Sequence, residues 1–312
     1  MNYKFQKWFF DLNVDEETYI YFILVEIKFL FFKIRNFTFH YFHFSTGSIT
    51  KTRTVKLHID NGGWESLSIK GKQLNLCPES DRLDIVSDFD DLHINLKINN
   101  YQKVYSRDSL IIWCKNKRID WFFVPLFMTA SGTILIDENL LQIENTPVYT
   151  DHVLSDILPF NTPVSKMFWG RLLHAEIRIT YSVVHNTKGH ACSKCFVLFN
   201  NLQFSFSDIQ YIKIKGMPEG LEDETDESMY RLVAGEGENN LTVNIRHMKT
   251  AAAGAFIVPE KFKFKMAYRI LNNISKKPAG KKFISKAEIT LDLNGMHYQW
   301  ENVDCIDEYV IF

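Results

Sequence analysis

The sequence predicts an all-β protein of many short antiparallel strands, and three observations carry that prediction. First, runs rich in Phe, Tyr, Ile and Val alternate apolar and polar residues, as in Thr54-Val-Lys-Leu-His-Ile59 and Leu92-His-Ile-Asn-Leu-Lys-Ile98. That is the period of a half-buried strand. Second, turn residues separate these runs: Asn61-Gly62-Gly63, Gly71, Asn200-Asn201 and Asn294-Gly295. Asn-Gly in particular favours the φ > 0 geometry of a two-residue hairpin. Third, helical periodicity is confined to two modest windows, Ser228 to Ala234 and Lys265 to Ile274. Strands without intervening helices build barrels or sandwiches, here with few short helices.

The elements follow in order. Tyr19 to Ile34 is almost continuously apolar, but Glu26, Lys28 and Lys33 interrupt it. A membrane-spanning helix needs about 18 consecutive uncharged residues, so this segment reads as two buried strands with a bend between Glu26 and Lys33. Glu26 itself is expected at a bulge facing water, the alternative being a polar group inside the first cavity. Leu67-Ser-Ile69 and Leu74-Asn-Leu76 flank the turn at Gly71. A hairpin from Gly132 to Ile143 ends the first half. The boundary is placed at the polar, proline-bearing stretch that follows, giving an N-terminal domain over residues 1–145 and a C-terminal domain over 146–312. Val153 to Val164, with Pro159 and Pro163, reads as a linker loop near the start of the second domain. Cys195–Phe199 with Leu202–Phe206, and Ala287–Leu293 with Met296–Trp300, are the hairpins around the two asparagine turns.

Composition limits the function. The chain has 312 residues, 46% hydrophobic and 14% aromatic with 26 phenylalanines, enough for two large cores. A formal net charge of −1 supplies no field to attract nucleic acid. Five scattered cysteines do not make a disulfide framework, and Met1 to Phe10 lacks the apolar core of an export signal, so a cytoplasmic location is expected. No Gly-rich nucleotide fingerprint or Gly-x-Ser-x-Gly elbow is present, and no cofactor is implied. His185, His190, Cys192 and Cys195 are spaced closely enough to suggest zinc, but a second ligand pair is missing. The segment reads as an exposed loop carrying two thiols, with no metal. Six of the nine residues from Glu219 to Glu227 are acidic, while residues 246–286 hold eleven Lys or Arg against one acid. These are expected to be solvated faces; the sharper alternative is docking to an acidic protein or peripheral contact of the basic stretch with an anionic membrane.

Two clusters concentrate the chemistry. Val148-Tyr-Thr-Asp-His152 groups three side chains that move protons. Phe168-Trp-Gly-Arg-Leu-Leu-His174 adds an aromatic wall, a fixed cation and a second imidazole. An apolar β-cavity with a few polar groups at one point suits a lipophilic small molecule. Asp151 is the candidate acid or polariser, with Tyr149 and His152 orienting it; Trp169, Arg171 and His174 are candidates for substrate binding. In a strand, Tyr149 and Asp151 share one face and His152 takes the other, so the three converge only if the backbone bends. The structural alternatives are a hydrogen-bonded corner for the first cluster and a core position for Trp169. Arg171 and His174 would then pair with Glu176 or a buried aspartate, and Glu308 would close the last strand.

The order Trp8-Phe-Phe-Asp11, Tyr149-Thr-Asp-His152, Trp169-Gly-Arg-Leu172 and Glu308-Tyr-Val310 resembles the lipocalin-like hydratase/cyclase superfamily. That group includes carotenoid 1,2-hydratase, AttH-like proteins and fungal decalin-forming Diels–Alderases. The resemblance implies two tandem lipocalin-like β-barrels with a cavity for a polyene, terpenoid or polyketide-like compound. It also implies a cofactor-independent cyclase or hydratase acting by acid or hydrogen-bond catalysis. The alternatives are a non-catalytic carrier of a lipophilic molecule and a protein-docking scaffold, which would have no ligand-sized cavity.

Overall fold

A computed structural model describes residues 4–29, 32–43, 45–59, 69–79, 81–101, 109–114, 117–123, 127–158, 162–215, 228–255 and 279–311. The acidic run and much of the basic stretch, with the window at Lys265–Ile274, lie outside these residues. Every regular element among the described residues is a strand. The helical expectation at Ser228 to Ala234 is corrected: Met229–Glu236 is a strand whose Tyr230, Leu232 and Ala234 are buried at period two. Pairing on both sides of that strand outweighs its weak helical pattern.

The chain divides into two compact units, one of Met1–Trp113 with Lys117–Ile157, the other of Cys114–Asn116 with Leu158–Phe312. In the first, β1 (Phe5–Asn13), β2 (Thr18–Phe29), β3 (Phe32–His43) and β4 (Gly47–Thr54) form an antiparallel meander. It is followed by β5 (Leu57–Ile59), β6 (Ile69–Gly71), β7 (Leu74–Glu79), β8 (Arg82–Phe89) and β9 (Leu92–Asn99). Next come β10 (Leu110–Cys114), β11 (Lys117–Phe122), β12 (Met128–Ile136) and β13 (Asn139–Ser155). The last strand returns to pair with the first, giving the sheet order β4-β3-β2-β1-β13-β12-β9-β8-β7-β6-β5.

The second unit repeats this plan with β14 (Val164–Leu173), β15 (Ile177–Asn186), β16 (Ala191–Phe199), β17 (Leu202–Ser207), β18 (Gln210–Lys215), β19, the strand over Met229–Glu236, β20 (Asn239–Ala255), β21 (Ala279–Leu293) and β22 (Met296–Ile311). Its order is β17-β16-β15-β14-β22-β21-β20-β19-β18, again with first strand against last. The repeat is one of topology; no exact sequence repeat accompanies it.

Each sheet curls around its own core. Trp8, Phe10, Leu12, Ile20, Phe22 and Val148 belong to the first core cluster, and Leu172, Ile179, Val197, Leu232, Ile289 and Val303 to the second. Strand alternation assigns the remaining residues to the opposite sheet face. Two-residue turns with positive φ at both positions close the hairpins at Asn200-Asn201 (φ 49 and 62) and Asn294-Gly295 (φ 50 and 77). Their left-handed geometry matches the twist of the flanking strands. The expected boundary at 145/146 falls within β13, where Asn145 adopts φ 48 and the pairing with β12 shifts register. This is a β-bulge, and the units divide after Ile157. The expected linker is therefore strand up to Ser155.

The polar interruptions of the second and third strands are also placed. Glu26 is buried on β2, with Arg35 Nε 2.6 Å away, Gln6 donating to it at 3.2 Å and Lys28 and Lys33 each at 3.8 Å. The expectation of a bulge facing water is thus corrected, because the β2–β3 register sets Arg35 opposite Glu26 and allows burial as a pair.

Candidate functional site

Tyr149 and Asp151 lie side by side on β13, and β1 places Asp11 and Phe9 opposite them. All four belong to the sheet face turned away from the first core cluster, and all are buried. The register runs on into β2 and β3, adding Tyr19, Tyr21 and His40 to the same buried face. Lys7 Nζ is 3.2 Å from Asp151 Oδ1 and lies over the rings of Phe9 (5.3 Å) and Trp121 (5.7 Å). Tyr149 Oη donates to Asp151 Oδ2 at a long 3.4 Å, and Tyr19 Oη donates to Asp11 Oδ2 at 3.0 Å. Tyr21 is stacked on His40 at 4.6 Å. Two carboxylates, three phenols and an ammonium thus share one aromatic surface, where burial strengthens every charge interaction.

His152 is not part of that group. β13 pairs with β1 without a break from Val148 to Ser155, so no bend brings the imidazole round to Asp151. Its ring faces the interior, stacked on Trp8 at 4.8 Å with an interplanar angle of 9°. Burial, reinforced by the Lys7 charge, lowers its pKa to about 3, so it is neutral at physiological pH. Strand parity also places the Tyr149–Asp151 pair outside the barrel interior, whereas the sequence pointed to a cavity within it.

The second predicted cluster belongs to the other unit. Trp169 and Arg171 are buried on the β14 face opposite the core residues Phe168 and Leu172. Lys282 Nζ sits 5.4 Å over the Trp169 ring and 3.3 Å from Glu308 Oε2, so Glu308 has a definite partner on its own sheet. Arg178 shares the buried surroundings of Arg171; desolvation first, then the Arg171 charge, lowers its pKa to about 10. His174 stands apart in the β14–β15 turn, where its Nδ1 accepts from the Glu176 amide at 3.3 Å. Glu176 is exposed and accepts from Trp300 Nε1 at 2.9 Å. The glycine between Trp169 and Arg171 has a steric cause: a Cβ on Gly170 would meet Tyr181 Oη at 2.3 Å.

His185, His190, Cys192 and Cys195 do not converge. Cys195 is buried in the second core and Cys192 is half-buried, which corrects the expectation of two exposed thiols. Alternation along β16 turns Cys195 inward to the core. Among the described residues no group of three or more His, Cys, Asp or Glu is placed to hold a metal. A polar cavity of about 340 Å³, lined by Arg53, Gln73, Phe89, Asp90 and Asp91, opens at the β8–β9 turn and involves none of the predicted site residues.

Sequence reasoning missed Lys7, Tyr19, Tyr21 and His40. Aligning the face of β1 that carries Asp11 with Tyr149 would have found Lys7, since residues 7, 9 and 11 share a strand face. The β2 and β3 residues required the pairing register.

Two curled antiparallel units in tandem, each closing its first strand on its last, define a lipocalin-like double-unit β protein. Among the solved structures that share this fold are the following three. CghA, solved with Sch210972, superposes with a TM-score of 0.65 at 9% identity, over 98% of this chain and 87% of that one. An AttH-like protein from Nitrosomonas europaea gives 0.62 at 8% identity, over 99% and 92%. Kievitone hydratase from Nectria haematococca gives 0.56 at 9% identity, over 98% and 88%. At such identities the likeness is one of fold, and it is the fold that the motif order implied. No protein-family profile and no curated protein matches the chain by sequence. No helix among the described residues is long and apolar enough to cross a membrane.

Proposed function

We propose that this protein is a cofactor-independent cyclase or hydratase for a lipophilic terpenoid, polyene or polyketide-like substrate. The buried group of Lys7, Tyr149 and Asp151 among aromatic rings carries this reading. The Lys7 ammonium, 3.2 Å from Asp151, sets a second donor beside the Tyr149 phenol. The pair therefore fits hydrogen-bond catalysis better than proton delivery to carbon by Asp151. Asp151 accepts from the Tyr149 phenol, whose single proton is thereby used, and pairs with the Lys7 ammonium, which keeps further N–H donors to polarise a substrate carbonyl or hydroxyl. Flat aromatic faces around them would fold an apolar chain and stabilise positive charge by the ring quadrupole, worth about 2 kcal/mol when desolvated. Fold neighbours that include a hydratase and a protein solved with a bound compound support the reading.

The experiment begins with mass spectrometry of an organic extract of the purified protein, and the recovered compound and its precursors then serve in a turnover assay. Asp151→Asn and Tyr149→Phe are expected to lower kcat by about 10²-fold or more while leaving affinity within a few-fold. A folded Asp151→Asn protein with parental turnover would remove Asp151 from the mechanism. A compound that is bound and never converted would favour the carrier.

A further inference from the structure

The interior of the second unit holds a polar cluster that the proposed function does not use. His247 on β20, Ser285 on β21 and Asp307 on β22 are all buried. His247 Nε2 lies 2.5 Å from Asp307 Oδ2, and Ser285 Oγ donates to Asp307 Oδ1 at 2.5 Å. With its Nε2 proton held by the carboxylate, His247 presents Nδ1 as a buried atom that meets no hydrogen-bond partner among the described residues. Tyr181 Oη is a second such atom: fully buried, over Gly170, it approaches Tyr211 without forming a well-aligned hydrogen bond. Gly170 is the register partner of both Asp307 and Tyr181, so Tyr181 and His247 both border the same carboxylate.

Aromatic rings line this end of the unit in an almost continuous series. Tyr309 meets Phe168 at 4.5 Å, Phe168 meets Tyr211 at 4.5 Å, and Tyr211 meets Tyr230 at 4.8 Å. Tyr230 meets His247 at 4.8 Å, and His247 stacks on Phe283 at 3.9 Å. A buried polar atom that lacks a partner is destabilising, so two of them beside one carboxylate form a corner that a polar ligand group would relieve. Tyr211 differs from its neighbours in the series. It is only half-buried, and it stands on β18, the edge strand of the sheet, hydrogen-bonded to β19. Rotating Tyr211 outward vacates one ring's place between Phe168 and Tyr230 and uncovers Tyr181 Oη.

We infer that the second unit contains a ligand site of its own, gated by Tyr211, for a planar ring compound bearing one hydroxyl or carbonyl oxygen. The ligand ring takes the place of Tyr211 in the stack, and its oxygen pairs with Tyr181 in front of the Asp307–His247–Ser285 cluster. Flat faces on both sides select a ring over an aliphatic chain, and the single polar corner selects one oxygen.

The test uses the full chain and 2-naphthol, a planar bicyclic phenol, with binding followed by its fluorescence. Tyr211→Ala is expected to bind it saturably and at least about fivefold more tightly than the parent, because the ring's place is already open. Adding Tyr181→Phe to Tyr211→Ala should weaken binding by about five- to tenfold, the loss of one hydrogen bond of about 1 kcal/mol. Tyr181→Phe keeps the ring, so the fold is retained, as circular dichroism would verify. Absence of saturable binding to Tyr211→Ala overturns the inference, as does affinity indifferent to Tyr181→Phe. Tyr211 and Tyr181 both belong to the second unit, so affinity that responds to both substitutions places the probe there and not beside Asp151. None of these outcomes bears on the turnover assay for Asp151.

Discussion

His152 makes the stability of this protein depend on pH in a way that can be calculated. Its folded-state pKa of about 3 lies far below the ordinary histidine value of 6.5, with burial the main cause and the Lys7 charge the lesser one. The unfolded chain therefore binds a proton at this site that the folded chain refuses. Above about pH 6.5 both states are neutral and the site adds no penalty. As pH falls from 6.5 toward 3, protonation favours the unfolded state by about 1.4 kcal/mol per pH unit. At pH 4.5, two units below the unfolded value, the loss is roughly 2 to 3 kcal/mol. His152→Phe removes the titrating group but keeps an aromatic ring against Trp8, which now stacks at 4.8 Å. Urea unfolding of parent and variant at pH 7.5 and 4.5 isolates the contribution, since acid effects elsewhere are common to both. The variant should lose roughly 2 to 3 kcal/mol less than the parent over this range. An equal loss in both proteins would refute the argument, showing that His152 either reaches solvent or is protonated in the fold.

Substitutions at two further positions test the packing and the buried ion pairing. Gly170→Ala sets a methyl carbon 2.3 Å from Tyr181 Oη and 2.4 Å from its Cζ, so the fully buried ring must move. Destabilisation of about 1–3 kcal/mol is expected from urea midpoints, and a neutral result would mean that the ring relocates freely. Glu26→Ala leaves Arg35 without the carboxylate 2.6 Å away, and a loss of about 3 kcal/mol is expected. Glu26→Gln should recover part of it, because Gln6 and Arg35 can still donate to the amide oxygen; identical losses in the two variants would assign the effect to packing alone.

Local chemistry in the sequence determined much of this architecture. Alternation in Leu92–Ile98 marked a strand whose apolar residues are all buried, and Asn200-Asn201 and Asn294-Gly295 marked hairpins that form with the backbone geometry those residues favour. Alternation also separated His152 from Tyr149 and Asp151, and the unbroken pairing of β13 confirms that separation. These properties have a period of two residues or a reach of one turn, so a single segment contains them. Which strands become neighbours is a different kind of information. Thr150 Oγ1 donates to the Phe9 carbonyl across 141 residues, Arg35 meets Glu26 through a hairpin register, and His247 meets Asp307 across 60 residues and an intervening strand. The division after Ile157, the burial of Glu26 and both polar clusters depend on such long-range pairing. It is settled by burying the apolar face of every strand at once, a condition on the whole sheet that no single segment of the sequence expresses.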